Sequence, residues 1–233
     1  ARGLSLCVLV IVFLLFSQGS FAASLRIGLL DDVAPFMLPD SEAGILADEI
    51  NILFNNGPAP ELVNFSHSQN ALYALRHQRI DMLLTAAPPS PSLQHSEPLL
   101  LFPSGVLRLQ GKQKGATLRF PALPEQNALA DALPGSATVD ENVLRMIRGE
   151  ASQLVAPAFL IEQYLSRNPV TTLTMGADST VPPLHYFLWP SPRRKTLLDD
   201  VNRRISSLKQ EDARWLEQKW LLPAGSVFSA RNQ

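Results

Sequence analysis

Short apolar segments alternate with amphipathic segments along this chain, and the alternation predicts an α/β fold. Apolar runs of four to six residues, bounded by turn-forming residues, predict strands at 25–30, 61–65, 80–85, 105–109, 116–120, 153–156 and 184–189. Apolar residues spaced three and four apart predict helices at 45–54, 68–76, 141–148, 158–165, 195–208 and 211–222. Because strands and helices alternate both before and after residue 100, we expect two α/β lobes.

Polar and aromatic residues refine the helix predictions. Ser68 and Asp140 are suited to cap the starts of two helices, and Gly149 is suited to end the second of them. On the last helix, Trp215, Leu216 and Trp220 predict a stripe that faces the core.

The first 23 residues have the pattern of a secretory signal peptide. Arg2 precedes an almost entirely apolar run from Leu4 to Phe16, and small residues follow, with cleavage expected after Ala22 or Ala23. This run is shorter than the roughly 20 residues of a transmembrane helix, although an uncleaved anchor is the alternative. No later segment is long and apolar enough to span a membrane, so we expect an exported mature chain that does not cross the bilayer.

Composition excludes several classes of protein. The 233 residues include 20 Lys and Arg and 21 Asp and Glu. This near-neutral balance argues against a nucleic-acid-binding protein, which would need a basic surface. A hydrophobic content of 46% is too high for a disordered chain. The single cysteine, Cys7, excludes a disulfide scaffold and a cysteine-based zinc site.

No catalytic or cofactor motif stands out. The four histidines lack the spacing of metal ligands; they are His67, His77, His95 and His185. The chain contains no G-x-S-x-G nucleophile elbow, no dinucleotide fingerprint and no P-loop. We therefore expect no metal, no cofactor and no enzymatic activity.

Four segments together resemble the bacterial extracellular solute-binding proteins of family 3, the periplasmic receptors of polar amino-acid transporters. Residues 25–28 with the Ala34-Pro-Phe36 loop are similar to the family's opening strand and loop. Residues 72–84 resemble its ALxxGxVD helix–turn–strand, and Ser96-Glu-Pro98 resembles its SxP entry to the crossover. The tail is similar to its closing helix pair, from Leu197 to Ile205 and then Trp215 and Lys219-Trp-Leu221.

The resemblance implies a two-lobe, type II periplasmic-binding-protein-like α/β fold with two crossover strands. The second lobe, residues 101–186, would be inserted into the first, residues 24–100 plus 187–233. Such proteins close around a small solute by a hinge, and they dock on an inner-membrane transporter or receptor. The expectation is therefore a periplasmic monomer whose partners are a small solute and a membrane protein.

The contacts by which family members hold an α-amino acid are missing here. Leu93 occupies the position of the arginine that clamps the carboxylate. Val33 falls near the position of the aromatic residue over the ligand, and Pro157 at or beside that of the acidic residue that takes the ammonium group. The resemblance therefore predicts a solute other than an ordinary α-amino acid.

Six residues remain as candidates for contacts with the solute: Asp31, Asp32, Phe36, Phe65, Thr85 and Ser90. All of them except Phe36 have a structural alternative. The two aspartates suit a cationic or hydroxylated ligand but also a solvated loop, and the hydroxyl groups also suit turns. Phe65 suits core packing equally well, and Tyr186 and Trp189 favour packing at the hinge.

Three hypotheses follow. The first is a binding protein that takes a solute in the interlobe cleft for transport or sensing. The second is an interaction or sensory module that has lost its solute. The third is a lyase or dehydratase on the same fold, with Asp31, Asp32 or Glu97 as its acid or base.

Overall fold

The structure is a computed structural model that describes residues 24–30, 33–38, 43–86, 90–111, 115–123, 129–176 and 180–227. The predicted signal peptide, Asp31 and Asp32 lie outside these residues. Within them, no helix has the length and apolar character needed to cross a membrane.

Ten strands and six helices make up the described chain. The strands are β1 (Arg26–Leu30), β2 (Glu61–Phe65), β3 (Met82–Thr85), β4 (Leu100–Phe102), β5 (Ser104–Leu109), β6 (Thr117–Arg119), β7 (Leu133–Pro134), β8 (Gln153–Pro157), β9 (Leu173–Gly176) and β10 (Leu184–Pro190). The helices are α1 (Ile45–Leu53), α2 (Ser68–Arg76), α3 (Val139–Ile147), α4 (Ala158–Arg167), α5 (Leu197–Ser206) and α6 (Gln210–Lys219).

The strands form two mixed sheets, one in each lobe of a two-lobe periplasmic-binding-protein fold. The sheet of the first lobe has the order β2-β1-β3-β10-β4, and that of the second has the order β7-β6-β8-β5-β9. In the first sheet β1 runs parallel to β2 and β3, whereas β10 runs antiparallel to β3 and β4. The chain passes between the lobes at β4–β5 and returns through β10.

The apolar residues of both sheets belong to one continuous core. It includes Ile27 and Leu84 of the first sheet and Leu118 and Leu154 of the second, all fully buried. A smaller cluster lies under α2, formed by Ala71, Ala74, Leu75, Ile80 and Leu83. The smaller cluster supports the face of the first sheet that carries the candidate site.

The α/β class and most elements agree with the sequence prediction, and the differences are local. The predicted caps were wrong: the Thr138 hydroxyl accepts the Glu141 amide at the start of α3, and no side chain caps α2. Gly149 does end α3, with a φ of 89°. Strands β4, β7 and β9 were not predicted because they are short.

The predicted core stripe of the last helix is only partly correct. Leu216 is fully buried, and the Trp220 ring packs against the core, where its Nε1 donates to Asp48. Trp215, however, is 49% exposed and lies beside the Lys219 ammonium group. The helix ends before Leu221, whose backbone φ is 53°.

Candidate functional site

The candidate site lies where the parallel strands of the first sheet end. Leu30 pairs with Phe65 in the register of β1 and β2, and Phe187 pairs with Thr85 in that of β10 and β3. Leu29 pairs with Leu84, so the next residues, Leu30 and Thr85, are also neighbours. Phe65, Leu30, Thr85 and Phe187 thus form one row across four adjacent strands, which we call the edge row. Open α/β sheets bind ligands at this edge.

The β2 end of the edge row is apolar and partly exposed. Phe65 and Leu30 both pack on the small cluster under α2, and so does Leu93, which follows β3. Leu93 is the residue that the resemblance places at the family's arginine position. Its apolar neighbours suit a leucine, because a guanidinium buried there without a partner would be costly.

Thr85 and Ser90 occupy different environments. Thr85 is 2% exposed, and its carbonyl accepts the Trp189 indole N–H at 3.2 Å. The Ser90 hydroxyl lies 3.0 Å from the Ser92 hydroxyl, and its carbonyl accepts the Leu93 amide. Ser90 therefore belongs to the turn that brings Leu93 back to the sheet.

A histidine and two aromatic rings complete the other end of the row. The His95 ring lies 4.3 Å from Phe187 and 4.8 Å from Trp189, centroid to centroid. Its Nδ1 is 2.7 Å from the Ser96 carbonyl oxygen. A carbonyl can only accept, so Nδ1 carries a hydrogen, and the His95 side chain is exposed.

Sequence reasoning did not select His95, Leu30 or Phe187 for the site. A signal for Phe187 was present, because His185, Phe187 and Trp189 alternate along β10 and so share one face of the strand. No local pattern, in contrast, connects Leu30 or His95 with that strand.

Phe36 lies in a separate aromatic cluster and is fully buried. Its ring is 5.4 Å from both Phe102 and Tyr186, which belong to the strands joining the lobes. It is 6.4 Å from Phe120 and 6.2 Å from Phe159, which follow β6 and β8 of the second lobe. We call these five residues the interlobe cluster.

Hydrogen bonds to the start of α1 hold the Phe36 loop. The amide of Ile45 donates to the Pro35 carbonyl, and the amide of Leu46 donates to the Phe36 carbonyl, each at 3.1 Å. These bonds satisfy two of the amides that a helix start leaves without intrahelical partners. The position of Phe36 between the lobes is therefore tied to the first helix.

The two other family positions are buried in this chain. Val33 belongs to the main core, and Pro157 is the buried residue that precedes α4. Neither side chain has a charge or a hydrogen-bonding group to offer an ammonium ion. These two residues therefore offer a ligand neither an acidic nor an aromatic contact.

The described residues give little support for a metal site or for acid–base catalysis. Among them, no three His, Cys, Asp or Glu side chains are grouped so as to hold a metal ion. Glu97, a candidate acid or base, is exposed. A surface cavity of about 250 Å³ includes Asn55, Arg204 and Lys209, and another of about 470 Å³ includes Arg108 and Gln153; neither includes a residue of the edge row.

Solved structures with the same two-lobe fold are numerous among bacterial binding and sensory domains. The periplasmic VFT2 domain of Bordetella pertussis BvgS has a TM-score of 0.66 at 16% identity, over 84% of this chain and 93% of that one. The GluR0 ligand-binding core from Nostoc punctiforme, in complex with L-glutamate, has a TM-score of 0.66 at 14% identity, over 85% and 100%. A substrate-binding protein of a Streptococcus pneumoniae ABC uptake transporter, with bound histidine, has a TM-score of 0.62 at 12% identity, over 84% and 92%.

No protein-family model and no curated protein matches the chain. At these identities the structural likeness establishes the fold alone.

Proposed function

We propose that this chain is a periplasmic binding protein without catalytic activity, which takes a small solute between its two lobes for transport or sensing. The observation that carries the proposal is the edge row at the carboxyl edge of a two-lobe α/β fold, in which Leu30, Phe65 and Phe187 are partly exposed. Ligands of open α/β sheets bind at such an edge. The structural neighbours, which are binding proteins and sensory domains, support the same kind of function.

The solute in this proposal is not an ordinary α-amino acid. Leu93 packs in an apolar cluster where a carboxylate would need an arginine, and Pro157 offers nothing to an ammonium group. A charged group taken out of water without a partner is strongly unfavourable. The solute must therefore be held by apolar contacts and a few hydrogen bonds.

The proposal keeps the organisation predicted from the sequence. Cleavage of the signal peptide would deliver a monomer with lobes at residues 24–100 plus 187–233 and 101–186. An inner-membrane transporter or receptor would be its protein partner. Asp31, Asp32, Phe36 and Ser90 remain predicted contacts beside Phe65 and Thr85.

A thermal-shift screen of the exported protein tests this proposal. The panel contains amino acids, polyamines, organic acids, sugars and aromatic compounds. A solute at 100 times its dissociation constant adds about 2.7 kcal/mol to the free energy of unfolding, and at 2–4 °C per kcal/mol the Tm rises by about 5–11 °C. A hit outside the α-amino acids is the expected result, and a panel with no hit would contradict solute binding.

One observation favours a second candidate, a sensory or interaction module that needs no solute. The interlobe cluster already joins side chains of both lobes and of the connecting strands through apolar contact. Under this candidate an inner-membrane protein co-purifies with the solute-free chain, and added solutes do not change its recovery. Recovery that depends on a solute would support the binding protein instead.

A further inference from the structure

The edge row is apolar at the place where an amino-acid site carries charge. Thr85 is the only one of its four side chains with a polar atom, and Leu93 extends the apolar surface beside Leu30 and Phe65. A carboxylate laid against this surface would lose water and gain no cationic partner from it. The row therefore disfavours any solute with a carboxylate at this position.

Aromatic rings stand at both ends of the row. Phe65 and Phe187 are partly exposed, and three strand spacings of about 4.8 Å place their backbones about 14 Å apart. Leu30 and Thr85 form the floor between them. Aromatic side chains attract a further ring in edge-to-face or offset contact, so this floor suits a flat ring system.

His95 supplies a directed polar group at the Phe187 end. The bond from Nδ1 to the Ser96 carbonyl sets the orientation of the ring, and packing on Phe187 and Trp189 supports it. The Trp189 ring is itself held by its bond to the Thr85 carbonyl. With Nδ1 as the donor, Nε2 accepts a hydrogen bond whenever the ring is neutral, and it then suits an N–H or O–H group.

We infer that the cleft binds a small aromatic solute that carries an N–H or O–H donor and no carboxylate. This inference rests on the proposed function and names the class of solute for the same site. The phenylalanine rings contact the ring system, Leu30 and Thr85 support it, and His95 Nε2 accepts from its donor.

Four compounds with the same ring test the inference: indole, tryptamine, tryptophan and indole-3-acetate. Binding of each to the exported full chain is measured by calorimetry at one pH. We expect indole, which is uncharged, to bind at least tenfold more tightly than the two carboxylates and than tryptamine, whose ammonium group finds no partner in the edge row. Equal or tighter binding of tryptophan or indole-3-acetate, or no binding of any of the four, would overturn the inference.

Single-ring variants locate the site. F65L and F187L keep an apolar side chain but remove a ring, and we expect each to weaken indole binding by about threefold to tenfold. The control is Y73L, because Tyr73 is an exposed ring on α2 that packs on His77, away from the row. If F65L and F187L both bind indole as tightly as the unchanged protein while circular dichroism shows them folded, the site is not the edge row.

The outcomes separate this inference from the proposed function. Binding of a sugar, polyamine or aliphatic acid without binding of indole would refute the aromatic class and leave a solute-binding protein. Failure of the whole panel would refute both.

Discussion

The carboxyl group of Glu49 is buried in α1 without a cationic partner among the described residues. Burial, with a contribution from the neighbouring Glu217 carboxylate, raises the pKa of Glu49 from 4.5 to about 8. Its Oε2 atom has no hydrogen-bond partner in the described structure. Glu217 is itself engaged, because its Oε1 accepts the amides of Gly225 and Val227.

The raised pKa predicts that stability falls as the pH rises. The folded state holds the Glu49 proton up to about pH 8, whereas the unfolded chain releases it near pH 4.5, so the contribution of Glu49 to stability is fully present below 4.5 and is lost as the pH rises towards 8. We expect Glu49→Gln to raise the Tm by several degrees at pH 8.5 and by much less at pH 5. Thermal denaturation at both pH values measures the change in Tm, and Glu97→Gln at an exposed position is the control. An equal change in Tm for Glu49→Gln at the two pH values would contradict the raised pKa.

Gly44 holds the Phe36 loop against α1 because no other side chain fits there. Its φ is 153°, and a Cβ atom would lie 2.3 Å from the Phe36 carbonyl oxygen and 2.7 Å from the Met37 Cα atom. Both neighbours are backbone atoms that cannot rotate away. We expect Gly44→Ala to cost at least about 2 kcal/mol in urea denaturation. Gly57→Ala, whose nearest contact is 3.9 Å away, is the control; losses of equal size would refute this account.

The helix starts differ in how their first amides are satisfied. Thr138 accepts the Glu141 amide at 3.2 Å before α3, whereas α2 begins at Ser68 without a side-chain cap. We expect Thr138→Ala to lower stability by about 1 kcal/mol and Ser68→Ala by less than about 0.5 kcal/mol. Chemical denaturation measures the stability lost by each variant. A larger loss in Ser68→Ala than in Thr138→Ala would support the cap at Ser68 that the sequence predicted.

The register of the strands in the first sheet determines which residues lie in the edge row. A shift of β10 by one residue would exchange the partly exposed His185 and Phe187 for the buried Tyr186 and Leu188. The bond from Trp189 to Thr85 and the packing of His95 oppose such a shift. The composition of the edge row is therefore a property of the paired strands and not of any one of them.

The two lobes are joined by more than their connecting strands. The interlobe cluster packs Phe36 against Phe159, and the Gln163 amide of α4 donates to the Leu221 carbonyl at 3.3 Å, after the last helix. Apolar contact of this kind stabilises one relative position of the lobes without any solute. It therefore sets the free energy against which a bound solute must act.

We expect Phe159→Ala to separate the lobes. The variant removes a ring that is 2% exposed, at a cost of about 3–5 kcal/mol, and part of that cost is lost interlobe contact. The radius of gyration from small-angle scattering should rise under conditions in which the variant is still folded. Phe54→Ala, a buried ring that belongs to the first lobe, should lose stability at an unchanged radius. An unchanged radius in Phe159→Ala would refute an interlobe role for the cluster.

Local sequence patterns were sufficient to predict the class of fold and the order of its main elements. Apolar periodicity and turn residues act over a few neighbouring positions, and they located β1, β2, α2 and the last helices within two or three residues. The resemblance to a binding-protein family predicted the two-lobe arrangement, and it also predicted that Leu93 stands in place of the arginine.

Contacts between residues that are distant in sequence became known from the folded structure. Phe65 and Thr85 were named from the chain, but Leu30 and Phe187 join them through pairing between strands that are far apart in sequence. Phe36 is buried between the lobes and Trp215 is exposed, because each position depends on what packs against it. Local pattern specifies elements, whereas burial and register depend on partners that are distant in sequence, and these determine the candidate site.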